Sequence, residues 1–170
     1  DEFARTSISN IYAIGDVTHG PWLAHKASHE AVKVIENIAL NELKPVTSLN
    51  IAGCTFCEPQ IASIGLSEEK ATDKGYKIRV GKFPLLANGK ALAIGESKGF
   101  IKTIFDSKTG ELIGAHLIGP EVTELIHSFV LGQQMEGTDK DFIETIFPHP
   151  TLSESIHESV LNSENRTIHF

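Results

Sequence analysis

Apolar residues along the chain follow two rhythms, and the change between them divides the sequence. Near the N-terminus, SNIYAIGDV (residues 9–17) is a short apolar run ending at Gly15-Asp16. It predicts a strand closed by a tight turn. From Leu23 to Asn41 the apolar positions Ala27, Ala31, Val34, Ile35 and Ile38 return at helical spacing. NELKPVTSLN (41–50) breaks that rhythm with Pro45 and polar residues and predicts a linker, so a first unit over 1–44 and a second over 49–170 are expected. In the second unit, strands are expected over Ile51–Phe56, Ile61–Leu66, Tyr76–Pro84, Lys90–Glu96, Gly99–Phe105 and Glu111–Ile118, with Ser67 capping a short helix over EEKATDKGY. Helices are expected over Glu121–Met135, Asp139–Thr145 and Leu152–Asn162. Strands first and helices last predict an α+β fold, an antiparallel sheet with helices packed on one side, preceded by the strand-turn-helix piece. Thr109-Gly110 in DSKTGEL marks the clearest hairpin.

Composition narrows the function classes. The chain has 170 residues, 41% hydrophobic and 22% charged, enough to bury one ordinary core with a small annex. Fifteen Lys and Arg against 22 Asp and Glu give a net charge of -7 with no basic stripe, which argues against nucleic acid as a partner. No run approaches the roughly 20 apolar residues that cross a bilayer, and the N-terminal residues lack the pattern of a signal peptide, so an intracellular setting is expected. The two cysteines, Cys54 and Cys57, have the spacing of redox pairs and half zinc sites. Two further ligands are missing, and a strand context gives the thiols no helix N-terminus, so buried, chemically inert cysteines and no metal are expected.

FPHPTLSESIHESV (147–160) is the segment with candidate chemistry. Thr151 and Glu154 are spaced as a capping box ahead of Leu152, Ile156 and Val160, which predicts a helix from Leu152. His149 is then held between Pro148 and Pro150 just outside a helix N-terminus, with its ring confined to few directions. Glu154 on the first turn can hold the tautomer and favour imidazolium, as proton transfer requires. The spacing serves equally a Glu154 that only bonds the Thr151 amide beside a solvated turn histidine, and both readings stand on these residues alone. His25 and His29 lie four apart on a helix without a third ligand, and His157 is expected to pair with Glu154 on a helix surface.

The same segment, extended to Leu161, is similar to the C-terminal signature of the dihydrolipoamide dehydrogenases of the pyridine nucleotide-disulfide oxidoreductase family. NIYAIGDVTHGPWLAHKASHEAVKVIE resembles the second flavin-contacting segment of that family. CTFCEPQIASIGLSEEKATDKGY, KGFIKTIFDSKTGELIGAHLIGPEVTELI and NRTIHF resemble its interface domain. The resemblance implies that His149 exchanges a proton with a dithiol substrate and that Glu154 orients it. It implies further that Asp16, approached closely because of Gly15, accepts a bond from a ribityl hydroxyl of FAD, and that backbone amides of Leu23, Ala24 and His25 face the flavin pyrimidine. NAD as acceptor, a homodimer whose histidine turn serves the partner's flavin, and the lipoyl domain and acyltransferase component of 2-oxoacid dehydrogenase complexes as partners are implied likewise. HPT with a following Glu also suits glutathione reductase, and a dimerisation or docking module without catalysis is the remaining alternative.

No GxGxxG, no redox cysteine pair upstream and no nicotinamide-binding unit occur, so a C-terminal fragment is expected that is colourless and inactive alone. Gln60 stands where many relatives carry Glu, and a small change at the interface is expected. Residues 49–170 are expected to self-associate, on the reasoning that the last helices carry more apolar surface than one sheet covers.

Overall fold

The computed structural model describes residues 1–46 and 50–170, and the expected start of the second unit, Leu49, lies outside the described residues. The chain divides into two compact units, Asp1–Ile51 and Ala52–Phe170.

In the first unit the expected strand over 9–17 does not form. Its pairing is a single antiparallel bridge between Arg5 and Tyr12, and it ends in a 3-10 turn at Gly15–Val17. A ladder needs a partner strand, and among the described residues only the short return through Arg5 lies alongside. Ile11, Tyr12, Ile14 and Val17 are accordingly exposed. The helix is as expected: α1 (Ala24–Leu40) starts after Leu23 and ends at Asn41, whose φ of 52° closes it in the left-handed conformation that asparagine tolerates. Its buried face differs from the apolar stripe. Lys26, Glu30 and Val34 are buried, while Ile35 and Ile38 face outward.

The second unit contains β1 (Gly53–Thr55), β2 (Gln60–Gly65), α2 (Glu68–Asp73), β3 (Ile78–Pro84), α3 (Gly89–Ala93), β4 (Phe100–Asp106), β5 (Leu112–Gly119), α4 (Val122–Gln134), α5 (Asp139–Glu144) and α6 (Glu154–Ser163). The five strands form one antiparallel sheet in the order β1-β2-β5-β4-β3. The Gly110 turn joins β4 to β5 as the sequence indicates, with Gly110 N–H on Asp106 O at 2.8 Å. Lys90–Glu96, expected as a strand, carries α3 instead. Its unbroken apolar run is ambiguous in period, and buried Asn88 decides the outcome by accepting the Ala91 N–H at 2.8 Å as an N-cap.

Ile64, Ile101, Phe105 and Leu117 from the sheet meet Val122, Ile126 and Phe129 of α4 and Ile156 and Val160 of α6 in one core. α6 is almost completely covered by β3, β4, α5 and the C-terminal residues, and Ser155, Ile156, Glu158, Ser159, Val160, Leu161 and Ser163 are all buried. α6 therefore leaves no surplus apolar surface for self-association. Exposed apolar side chains of the unit include Leu131 on α4 and Phe56, Leu86, Leu92, Met135 and Ile146. Arg79 on β3 pairs with Asp139 at the start of α5 and Glu164 at the end of α6, tying both helices to the sheet edge.

α6 approaches the sheet through a row of serines, 155, 159 and 163, spaced by four and therefore on one face. A Cβ at Gly81 on β3 would lie 1.8 Å from the Ser159 carbonyl oxygen and 2.8 Å from the Ser163 nitrogen, both backbone atoms that cannot rotate away. Gly81→Ala is therefore expected to push α6 off the sheet and to cost about 3 kcal/mol, at the upper end for overpacking. Urea denaturation reads this as a lowered midpoint; an unchanged midpoint would contradict the close approach.

Candidate functional site

The turn before α6 is built from four residues, Pro148, His149, Thr151 and Glu154, that hold one another. Thr151 Oγ1 donates to the Pro148 carbonyl at 2.7 Å, and Thr151 N–H donates to Glu154 Oε2 at 2.8 Å. The other carboxylate oxygen, Oε1, lies 2.9 Å from His149 Nδ1. The peptide bonds Glu58–Pro59 and His149–Pro150 are cis. From the sheet side, Asn88 Nδ2 donates to the Thr151 carbonyl at 3.1 Å. One buried asparagine thus caps α3 and braces the histidine turn.

The helix itself begins at Glu154 after Ser153, not at Leu152, and no side chain caps it. Only the return half of the expected capping box exists, Glu154 to the Thr151 amide, because the Thr151 hydroxyl turns back to Pro148. The complete box occurs at Thr138 and Asp141, where N3 is aspartate and the usual Glu or Gln signal is missing. The Thr138 amide and hydroxyl hold the Asp141 carboxyl below its ordinary range.

The site's electrostatics follow from these bonds. Partial burial pushes the Glu154 carboxyl up, but the Thr151 amide and the hydrogen bond and charge of His149 outweigh it, with His169 adding to the pull, so the group lies below the usual glutamate range. An ionised carboxylate only accepts, so Nδ1 of His149 carries the hydrogen in this pair and Nε2 is the nitrogen left for exchange. The His149 side chain is 78% exposed and Glu154 28%, which leaves the ring open while its orienting partner is sheltered. Three residues earlier, Ile146 is 94% exposed.

Other histidines take positions the sequence did not indicate. His157 pairs with the Ile143 carbonyl at 3.1 Å and stacks on Phe147 at 5.5 Å, steadying the approach to the turn, and does not pair with Glu154. His169 Nδ1 lies 2.7 Å from Glu158 Oε1, and Glu158, buried one turn beyond Glu154, also accepts the Ile168 N–H at 3.1 Å. The C-terminal residues are held to α6 in this way. A second glutamate spaced by four from Glu154 was the available signal, although nothing in the sequence pointed to its partner.

In the first unit Gly15 has φ +73°, Asp16 is exposed, Leu23 is the N-cap of α1, and Ala24 and His25 open its first turn. The Leu23 side chain makes no cap bond. The cysteines are separated in environment. Cys54 on β1 packs towards α4, with Sγ 3.9 Å from the Thr123 carbonyl, and burial pushes its thiol pKa up, with Glu124 adding to the rise. Cys57 is exposed, contrary to the expectation that both are buried, because the chain leaves β1 at Thr55 and bends. Among the described residues no group of three His, Cys, Asp or Glu side chains could hold a metal ion. Gln60 turns inward, accepting from Thr123 N at 3.3 Å and Oγ1 at 2.8 Å, and so supplies the cap that α4 lacks from its own chain start. No helix among the described residues is long and apolar enough to cross a membrane.

Residues 51–160 match the family model "Pyridine nucleotide-disulphide oxidoreductase, dimerisation domain". Among curated proteins, the dihydrolipoyl dehydrogenase of Zymomonas mobilis is 51% identical over 171 residues, covering 100% of this chain and 37% of the relative. That of Rhizobium etli is 52% identical over 169 residues, covering 99% and 35%. The crystal structure of LpdA from Mycobacterium tuberculosis superposes with a TM-score of 0.84 at 30% identity, over 94% of this chain and 35% of that one. The chain thus spans about a third of the length of the proteins it matches.

Proposed function

Because the chain belongs to the pyridine nucleotide-disulphide oxidoreductase family through its dimerisation domain, we propose that it forms the C-terminal part of a dihydrolipoyl dehydrogenase, which oxidises protein-bound dihydrolipoamide with NAD as acceptor. The observation that carries this reading is the 2.9 Å pair of His149 Nδ1 with Glu154 Oε1, which leaves Nε2 free on an exposed, rigidly held ring. Nε2 takes a proton from a dithiol sulfur as the thiolate forms, and the Glu154 carboxylate stabilises the imidazolium that results. The high identity to dihydrolipoyl dehydrogenases over the whole chain supports that substrate class over glutathione.

The first unit fits a flavin in its donor set. A Cβ at Gly15 would come 3.2 Å from Ala27 Cβ, so the turn carrying Asp16 packs tightly on the first turns of α1. Asp16 would hold a ribityl hydroxyl, and the backbone of Leu23, Ala24 and His25 would face the pyrimidine end of the ring. FAD held there would supply the redox link between the dithiol and NAD. The working form in this reading is a homodimer in the bacterial cytoplasm or mitochondrial matrix, served by the lipoyl domain and acyltransferase component of a 2-oxoacid dehydrogenase complex.

The test is a paired assay of the full-length enzyme that carries this segment. NADH formation from dihydrolipoamide, without turnover of glutathione disulfide and NADPH, is the expected result; the reverse preference would assign the segment to a glutathione reductase.

A further inference from the structure

Two charged side chains are buried together in the first unit. Lys26 is 3% exposed and Glu30 6%, with Nζ and Oε1 3.0 Å apart, one turn from each other on α1. Lysine and glutamate leave water to this extent only when paired, and pairing alone repays the desolvation poorly. These two have a further partner in common. Glu30 Oε2 accepts the Gly15 N–H at 2.7 Å, and Lys26 Nζ donates to the Gly15 carbonyl at 3.1 Å and to Thr18 Oγ1 at 2.9 Å. Thr18 closes the turn by donating its hydroxyl to the same carbonyl at 2.7 Å. Both backbone polar groups of the residue before Asp16 are therefore gripped by the helix whose first turn contains Ala24 and His25.

We propose that Lys26 and Glu30 are positioning residues of the flavin site. They fix the Gly15–Val17 turn against α1, so that the Asp16 carboxylate and the amides at the helix start form one preformed surface before FAD arrives. The inference rests on the flavoenzyme reading above and adds to it the device that sets the spacing of the contacts. A turn free to move would have to be ordered by the cofactor, at a cost to affinity.

Replacing a buried ion pair by apolar residues is often neutral for stability, and this separates positioning from scaffolding. In the full-length enzyme, Lys26→Met with Glu30→Met is expected to lower the thermal unfolding midpoint of the apoprotein by no more than a few degrees, the effect of leaving the Gly15 N–H without its acceptor. FAD binding, measured by titrating apoprotein with FAD, should weaken by about tenfold or more. Lys26→Met with Glu30→Gln restores an acceptor for the Gly15 N–H and should recover part of the affinity. It also serves where the first variant does not accumulate, since it still lacks the Lys26 bonds and should bind FAD several-fold less tightly than the parent. Variants that bind FAD as tightly as the parent overturn the positioning role and leave the flavoenzyme reading intact. Equal weakening in both variants overturns the role assigned to Glu30. A parent that binds no FAD overturns both readings.

Discussion

His149→Gln in the full-length enzyme is expected to lower dihydrolipoamide turnover about a hundredfold or more, the usual cost of removing a positioned acid/base. Glutamine keeps a polar side chain of similar reach but has no group that titrates near neutrality. The ring's recorded partner is Glu154, and the Thr151 amide, Thr151 hydroxyl and Asn88 bonds that shape the turn do not depend on it. Stability and flavin absorbance should therefore stay close to wild type, and the deficit should fall on kcat, with little change in KM. A variant within a few-fold of wild type would return His149 to the solvated-turn reading. A variant that unfolds or loses flavin would show the histidine to be structural.

What the sequence revealed follows the strength of local signals. Ser67 as a cap, the Gly110 hairpin and the bounds of α1 were legible because each is set by residues within a few positions, while α4 was legible from its helical apolar period alone. The β4–β5 pairing followed once the turn was located. The strand expected at 9–17 and the one at 90–96 failed for different reasons. The first needs a partner strand that no residue pattern supplies, and the second was decided by a side chain, Asn88, whose capping bond no apolar period encodes. Burial of Lys26 and Glu30 was hidden for a related reason: a helical wheel places charges outward, and only a facing backbone with a free N–H and C=O reverses that. The contact of Gln60 with Thr123 spans 63 positions, beyond the reach of any local motif.

The candidate pair His149 and Glu154 was visible in spacing, but not the arrangement that connects them. The sequence put Thr151 in the cap position and the helix start at Leu152. In the structure the carboxylate serves two donors at once, the Thr151 amide through Oε2 and His149 through Oε1. Both readings left open by the spacing thus describe half of the geometry: Glu154 does bond the Thr151 amide, and it also holds the ring. What this arrangement accomplishes depends on where a substrate sulfur stands, which lies with the opposite subunit in the proposed dimer.

That dependence gives the central claim its most direct test. If the histidine turn of one subunit serves the flavin of the other, a hybrid dimer separates shared from self-contained sites. One subunit of the full-length enzyme carries replaced redox cysteines and the other carries His149→Gln, each parental homodimer losing about a hundredfold or more of its turnover. In a shared arrangement one site of the hybrid collects both lesions, while the other combines intact cysteines with an intact His149. Turnover of hybrids purified through two different affinity tags is the measurement. The account predicts recovery of roughly half the wild-type activity, the share of one intact site in two; hybrids as inactive as their parents would contradict it.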